Sequence, residues 1–238
     1  LTYNFKIIED ASHSIGSKYL DRYVGSCDYS DITIFSFHPV KIITTGEGGI
    51  ATTNDKNLAE KLNLFRSHGV TRDSKLMKKH SDGPWYYEQI DIGYNYRMTE
   101  LQAALGISQL ERIESIISKR HLIANEYNKK LKDLPLRLPW QDNKSYSSYH
   151  LYVIRLNLDQ IEISHKDFFI KMRDEGILIN LHYIPVYLHP YYKKLGFKEG
   201  HCPEAEKYYD DAISIPMFPS LTSEEQDKVI NTIKSILK

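Results

Sequence analysis

An α/β domain followed by a smaller α+β unit is the architecture this sequence predicts, and three observations carry it. Short β-rich runs alternate with helix-forming segments through the first part of the chain. Pro135 and Pro139 then break the pattern, and the strand-like run at residues 149–156 opens a second, smaller series of strands and helices. With 238 residues, 41% hydrophobic and 26% charged, the chain is long enough to bury a core and has the composition of a globular protein. We therefore expect one domain over residues 1–134 and a second over 135–238.

Each element has a local reason. Residues 5–8, 32–37 and 49–53 are rich in β-branched and aromatic side chains and are punctuated by glycine, as strands of one sheet would be. A helix is expected from Asn54, which can cap it; Leu58, Leu62 and Phe65 fall on one face, and Gly69 follows as a stop. Residues 71–97 are polar, rich in Tyr and Gly, and too long for a passive connection, so a role of their own is expected. Thr99 and Gln102 have capping-box spacing ahead of Leu101, Leu105, Leu110, Ile113 and Ile117, which predicts one long amphipathic helix. In the second part, Ser164 with Asp167 starts a helix carrying Phe168, Phe169 and Met172, and Gly176 ends it before the strand-like ILINLHY. Pro203 suits the first turn of a helix reaching Ala212. Thr222 and Glu225 cap the last helix, which presents Val229, Ile230, Ile233 and Leu237 and ends on Lys238, a favourable charge for its dipole.

Composition narrows the function. The 31 basic and 31 acidic residues are spread along the chain, so no footprint for nucleic acid or an acidic membrane surface stands out. Cys27 and Cys202 lie far apart and outside zinc-type spacing, as plain thiols in a reducing cytoplasm would. No metal is expected. The opening LTYNFKIIED lacks the basic start and cleavage site of a signal peptide, and no apolar run reaches membrane-spanning length. A strand-like KII stands almost at the start with no initiator methionine before it, so a missing N-terminal portion is expected.

Lys41 lies between the run ITIFSFHPV and TTGEGG, in a loop between two strands, where catalytic residues often sit. Taken alone, a lysine there is more often a solvated surface charge. Ser36 and His38 are close to it, and the Thr44, Thr45, Gly46, Gly48, Gly49 cluster can bring backbone amides near a ligand, although a plain turn would use the same residues. Asp10 ends the strand KIIED at the sheet edge where open α/β sheets bind ligands; a helix cap is the competing reading. A carboxylate buried there needs a cationic or hydrogen-bonding partner to stay ionised. His13, three residues on, can donate to a ligand oxygen, but a lone histidine is more often an ordinary satisfied polar group.

The motifs IEDASHSIG, FSFHPVKIITTGEGG, LFRSHG, GYNYRM and LHYIPVYLHPYY, in that order, resemble the DegT/DnrJ group of sugar-nucleotide aminotransferases, and the resemblance runs essentially from Ile7 to the C-terminus. It implies the aspartate aminotransferase (type I) fold: part of the large cofactor domain with a long dimer-interface helix, then the small C-terminal domain. The tail, HYIPVYLHPYYKKLGF and AEKYYDDAISIPMFPSLT, is most similar to the pseudaminic acid branch, which acts on a UDP-linked 4-keto amino sugar.

By resemblance, Lys41 is the lysine that carries pyridoxal 5'-phosphate and Asp10 the partner of the pyridine nitrogen. His13 falls near the phenolic oxygen, Ser36 on the phosphate, and Asn95 on the phosphate bound by the neighbouring subunit. Arg97 and His182 become substrate contacts. His38 and Arg66 belong to the motifs, but a scaffold hydrogen bond explains them as well. The same resemblance implies a homodimer with shared sites and an amino group passed from glutamate, leaving 2-oxoglutarate, to the keto sugar. Relatives with histidine at the position of Lys41 act as dehydratases, so the lysine argues for transamination. Two other readings compete: an inactive fragment that keeps fold and dimer surfaces, and a cofactor-sensing regulator, for which no DNA-binding motif is present.

Overall fold

The structure, a computed structural model, describes residue 3 and residues 5–238. In chain order the elements are β1 (Ile8–Asp10), β2 (Lys18–Tyr19), β3 (Arg22–Tyr23), β4 (Ile32–Ser36), β5 (Gly49–Thr52), α1 (Lys56–Arg66), β6 (Val70–Thr71), β7 (Glu88–Gln89), α2 (Glu100–Leu110), α3 (Ile113–Leu131), β8 (Leu136–Arg137), β9 (Ser145–Tyr146), β10 (Tyr152–Leu156), α4 (His165–Asp174), α5 (Pro190–Lys194), α6 (Pro203–Asp211), β11 (Ala212–Ile215) and α7 (Ser223–Ile236). They group into two compact units. The first holds the described residues up to Glu114 with Asn143–Ser148; the second holds Ser115–Asp142 and Tyr149–Lys238. The division thus falls before the expected 134/135 boundary. The reason is in α3, whose Ile123, Ala124, Tyr127 and Leu131 belong to the core of the second unit.

In the first unit β4 is the central strand, with β1 parallel on one side and β5 antiparallel on the other. Its alternation decides which face is covered: Thr33 and Phe35 are buried, whereas Ile34 between them is exposed. Register places Asp10 opposite Ile34, so Asp10, Ile34 and Ser36 share the open face. α1 is capped by Asp55 rather than Asn54: the Asp55 carboxylate accepts from the Asn57 and Leu58 amides at 2.8 and 3.2 Å. Asn54 instead donates its side-chain amide to the Ser26 carbonyl at 2.8 Å. Past the helix, Gly69 has φ +69°, and a Cβ there would lie 1.8 Å from the Asp91 oxygen, so only glycine fits.

The long segment after α1 has structure of its own. β6 pairs with β7, and the Glu88 carboxylate accepts from the Lys78 and Lys79 amides and the Tyr86 hydroxyl at 2.6, 2.9 and 2.9 Å. The single long helix expected from Thr99 is two helices, because the α-helical ladder stops at Leu110 and α3 starts afresh at Ile113. The Glu111 and Arg112 amides bond back to Ile107 and Gln109, closing the turn between them. The apolar spacing runs unbroken across this turn, which is why the sequence reads as one helix.

In the second unit β10 is flanked by antiparallel β11 and β8, and α3, α4 and α7 pack their apolar faces around Tyr152, Ile154 and Leu156. Ser164 caps α4 and the Thr222–Glu225 box caps α7, as their spacing predicts. Arg155 on β10 meets the buried Asp211 at the end of α6 in a two-point ion pair of 2.6 and 2.8 Å. Buried Arg120 of α3 donates to the Tyr149 and Met217 carbonyls at 2.9 Å each, and burial pushes its pKa down to about 10. ILINLHY is not a strand. Within it only Asn180 makes a ladder contact, an isolated bridge to Ser214 beside β11. Among the described residues no helix is long and apolar enough to cross a membrane.

Candidate functional site

Lys41 stands on a closed excursion between β4 and β5. The neck is tied by three bonds to Phe37: its amide donates to the Gly48 carbonyl at 2.8 Å, and its carbonyl accepts from the Thr45 amide at 3.0 Å and the Thr44 hydroxyl at 2.9 Å. Within the loop the Lys41 amide donates to the His38 carbonyl at 2.9 Å, making a turn, and Ile42 and Ile43 are buried behind it. The lysine is therefore held by apolar anchors on its C-terminal side while its own side chain is half-buried. That partial desolvation lowers its pKa, and the Asp10 charge opposes the shift. The two charges thus act on one another.

Asp10 sits at the last residue of β1. Its Oδ1 accepts from the Ser12 amide at 3.0 Å and the Ser12 hydroxyl at 2.5 Å, an arrangement typical of Asp beside a turn. Hydrogen bonding to Ser12 lowers its pKa, with smaller contributions from the His13 and Lys41 charges. Asp10 is exposed, so water already supports its ionised form at neutral pH, and these donors and charges favour it further. Ser36 ends β4 on the same sheet face, with its hydroxyl 3.4 Å from the His38 amide. His38 turns its Nδ1 back to the Val40 amide at 3.5 Å, a loop contact.

The remaining positions are dispersed. His13 is exposed, and its carbonyl accepts from the Ser148 hydroxyl at 3.3 Å. Asn95 lies in the first unit, in a bridge with Ser67, its side chain exposed, and Arg97 follows it, also exposed, ahead of the Thr99 cap. Arg66 ends α1, and its carbonyl accepts from the Tyr96 amide at 3.0 Å. His182 is in the second unit, its Nδ1 2.8 Å from the Ser214 hydroxyl. Two residues near Lys41 have no part in the sequence reading, Ser12 and Gln109. Ser12 is signalled by the Asp-x-Ser spacing at a strand end. Gln102 is read there only as a capping partner of Thr99, and Gln109 leaves no local signal, since 65 residues separate it from Thr44; both side chains reach the Lys41 loop from α2.

Comparison with known proteins bears on the family and the fold. The chain is 37% identical over 238 residues to UDP-4-amino-4,6-dideoxy-N-acetyl-beta-L-altrosamine transaminase of Campylobacter jejuni, covering 99% of this chain and 60% of that protein. Among solved structures it superposes on PseC of Helicobacter pylori, an aminotransferase of pseudoaminic acid biosynthesis, with TM-score 0.87 and 34% identity over 98% of this chain and 60% of that one. It also matches Spr1654 of Streptococcus pneumoniae in its PLP form, with TM-score 0.85 and 30% identity over 97% and 57%. The chain spans about 60% of the length of such relatives. The α/β aminotransferase fold implied by the motifs is the fold of these structures. The profile of one family matches residues 2–234, nearly the whole sequence, and the chain belongs to that family, the DegT/DnrJ/EryC1/StrS aminotransferases.

Proposed function

We propose that this chain carries the lysine and the carboxylate of a pyridoxal-phosphate-dependent sugar-nucleotide aminotransferase. The observation that supports it most is geometric: parallel register sets Asp10 beside Ile34, so the end of β1 that carries Asp10 and the end of β4 that leads through Ser36 into the Lys41 loop lie at the same edge of the sheet. The groups fit the cofactor: an amine with a lowered pKa, an ionised carboxylate that accepts from Ser12, and the Ser36 hydroxyl on the sheet face that carries Asp10. Pyridoxal phosphate, when bound, supplies an electron sink for a carbanion next to the transferred amine. Lys41 Nζ would hold the cofactor and, once released by an incoming amine, move a proton as a base. Asp10, ionised at neutral pH, would keep the pyridine nitrogen protonated. Ser36 would bind the phosphate and His13 the phenolic oxygen, with Asn95 reaching the phosphate of a neighbouring subunit.

At the finer level, the amino group would pass from glutamate to the keto carbon of a UDP-linked deoxy sugar in a pseudaminic acid type pathway of the cytoplasm, with Arg97 and His182 as substrate contacts. The Campylobacter and Helicobacter relatives support this reading. A homodimer is part of it, and the exposed Leu101, Leu105, Ile107 and Leu110 of α2 offer apolar surface to bury. Borohydride treatment of the protein incubated with pyridoxal phosphate should fix the cofactor to the peptide containing Lys41. A Lys41→Ala variant that still performed multiple-turnover transamination would overturn the proposal. A second reading, a fold that does not bind the cofactor productively, draws on the exposure of the sheet face that bears Asp10. Visible absorbance on adding pyridoxal phosphate separates the two.

A further inference from the structure

α2 grips the Lys41 loop from outside. Gln102, Gly106 and Gln109 fall at i, i+4 and i+7, one stripe of the helix. Gln109 pairs with both backbone polar groups of Thr44: its Oε1 accepts from the Thr44 amide at 3.2 Å and its Nε2 donates to the Thr44 carbonyl at 2.5 Å. About two turns earlier, Gln102 Nε2 donates to the Glu47 carbonyl at 2.9 Å. Between them a Cβ on Gly106 would lie 2.9 Å from Thr45 Cγ2, so the helix approaches the loop there as closely as it can. Thr44 is three residues beyond Lys41, and the intervening Ile42 and Ile43 are buried, so a shift of Thr44 is passed along the chain to the lysine.

We infer that Gln109, seconded by Gln102, is a positioning residue for Lys41: by pairing with the Thr44 and Glu47 peptide groups it fixes the closed loop on which the lysine stands. The side chain must supply a donor and an acceptor together, which among residues of its reach only glutamine does. Glutamate keeps the acceptor for the Thr44 amide but faces the Thr44 carbonyl with a second acceptor. Methionine keeps the shape and loses both bonds. The inference rests on the proposal that Lys41 carries the cofactor, and two readouts separate failure of one from failure of the other.

The experiment compares the full chain with its Gln109→Met and Gln109→Glu variants, with Ser108→Ala, an exposed position of the same helix, as the control. Amide hydrogen exchange at Thr44, Thr45 and Gly46 is followed without cofactor. The rate of borohydride-stable labelling of Lys41 is followed at a subsaturating concentration of pyridoxal phosphate. With the melting temperature unchanged, Gln109→Met should exchange faster at those amides and label about tenfold more slowly, a loss of the size expected for two hydrogen bonds. Gln109→Glu should fall between it and the parent in exchange, and it carries the test if the methionine variant does not fold. Labelling and exchange at parental rates in the variants would overturn the inference. So would a lower melting temperature accompanied by parental labelling of the folded fraction, since that is a purely structural role. If the parent itself is not labelled at Lys41, the cofactor proposal fails, and parental exchange in Gln109→Met then overturns the fixing of the loop as well, whereas faster exchange upholds it.

Discussion

At the end of β1 the Asp10 carboxylate accepts two hydrogen bonds from Ser12, and these donors favour its charged form more than any other influence on it. Because the native pKa lies below the ordinary 3.8, the unfolded chain binds more protons in the interval between the two. Stability from this group is therefore complete above the ordinary value and is lost as pH falls through the native one. Ser12→Ala should move the Asp10 midpoint upward, read by NMR titration of its carboxyl carbon, and flatten the acid limb of the stability profile. An unmoved midpoint would show that Ser12 does not hold the charge. Lys41 answers the same field from the other side. Its pKa is lowered by desolvation against the pull of Asp10, so the unfolded chain again binds more protons below the ordinary 10.5, and stability rises with pH through that interval. Asp10→Asn removes the opposing charge and should lower the Lys41 midpoint further in a competitive acylation titration. A midpoint that rose instead would mean that the two charges do not interact as the structure places them.

Helix ends are where sequence and structure agree best, for a physical reason. The Thr99–Gln102 and Thr222–Glu225 boxes are both formed, because capping depends on residues three apart and on little else. Thr99→Ala should cost about 1 kcal/mol of stability in urea unfolding. It should also loosen the Gln102 contact with Glu47, since the Gln102 Oε1 is held by the Thr99 amide and hydroxyl at 3.0 Å each. Exchange at the Glu47–Gly48 amides that stayed at the parental rate would count against that coupling. Where two local signals compete, the sequence loses its resolution. Asn54 and Asp55 are both good caps, and the choice of Asp55 depends on Ser26, a contact 28 residues away. The apolar spacing of α2 continues into α3, so the turn at Glu111 and Arg112 is invisible to periodicity. ILINLHY has strand composition, but a strand needs ladder pairing along its length, and within the segment only Asn180 forms a β-bridge. The site divides in the same way. Lys41, Asp10 and Ser36 are proposed from motif order, whereas Gln109 reaches the loop only through folding that brings α2 to it, and leaves no trace near residue 41.

The two units differ in how much of their stability is internal to them. In the second, β10 and the helices α3, α4 and α7 enclose one continuous apolar core, with Tyr152, Ile154, Phe168, Met172 and Ile233 fully buried. In the first, neither α1 nor α2 contains a buried residue, and much of the sheet face around Ile8 and Ile34 is exposed. Burial of apolar side chains is the main favourable contribution to folding, so protection against exchange should follow it. Amides of α4 and α7 should exchange more slowly than those of α1 and α2 in the protein alone. Phe168→Ala tests the source of that protection. Removing a fully buried phenyl ring should destabilise the second unit by about 3–5 kcal/mol, through lost burial and the cavity left behind. The rise in exchange should appear first along α4, β10 and α7, which share that core. If the α1 and α2 amides accelerated as much as these, the protection of the first unit would have to come from the same core, and the division into two compact units would not describe how the molecule resists unfolding.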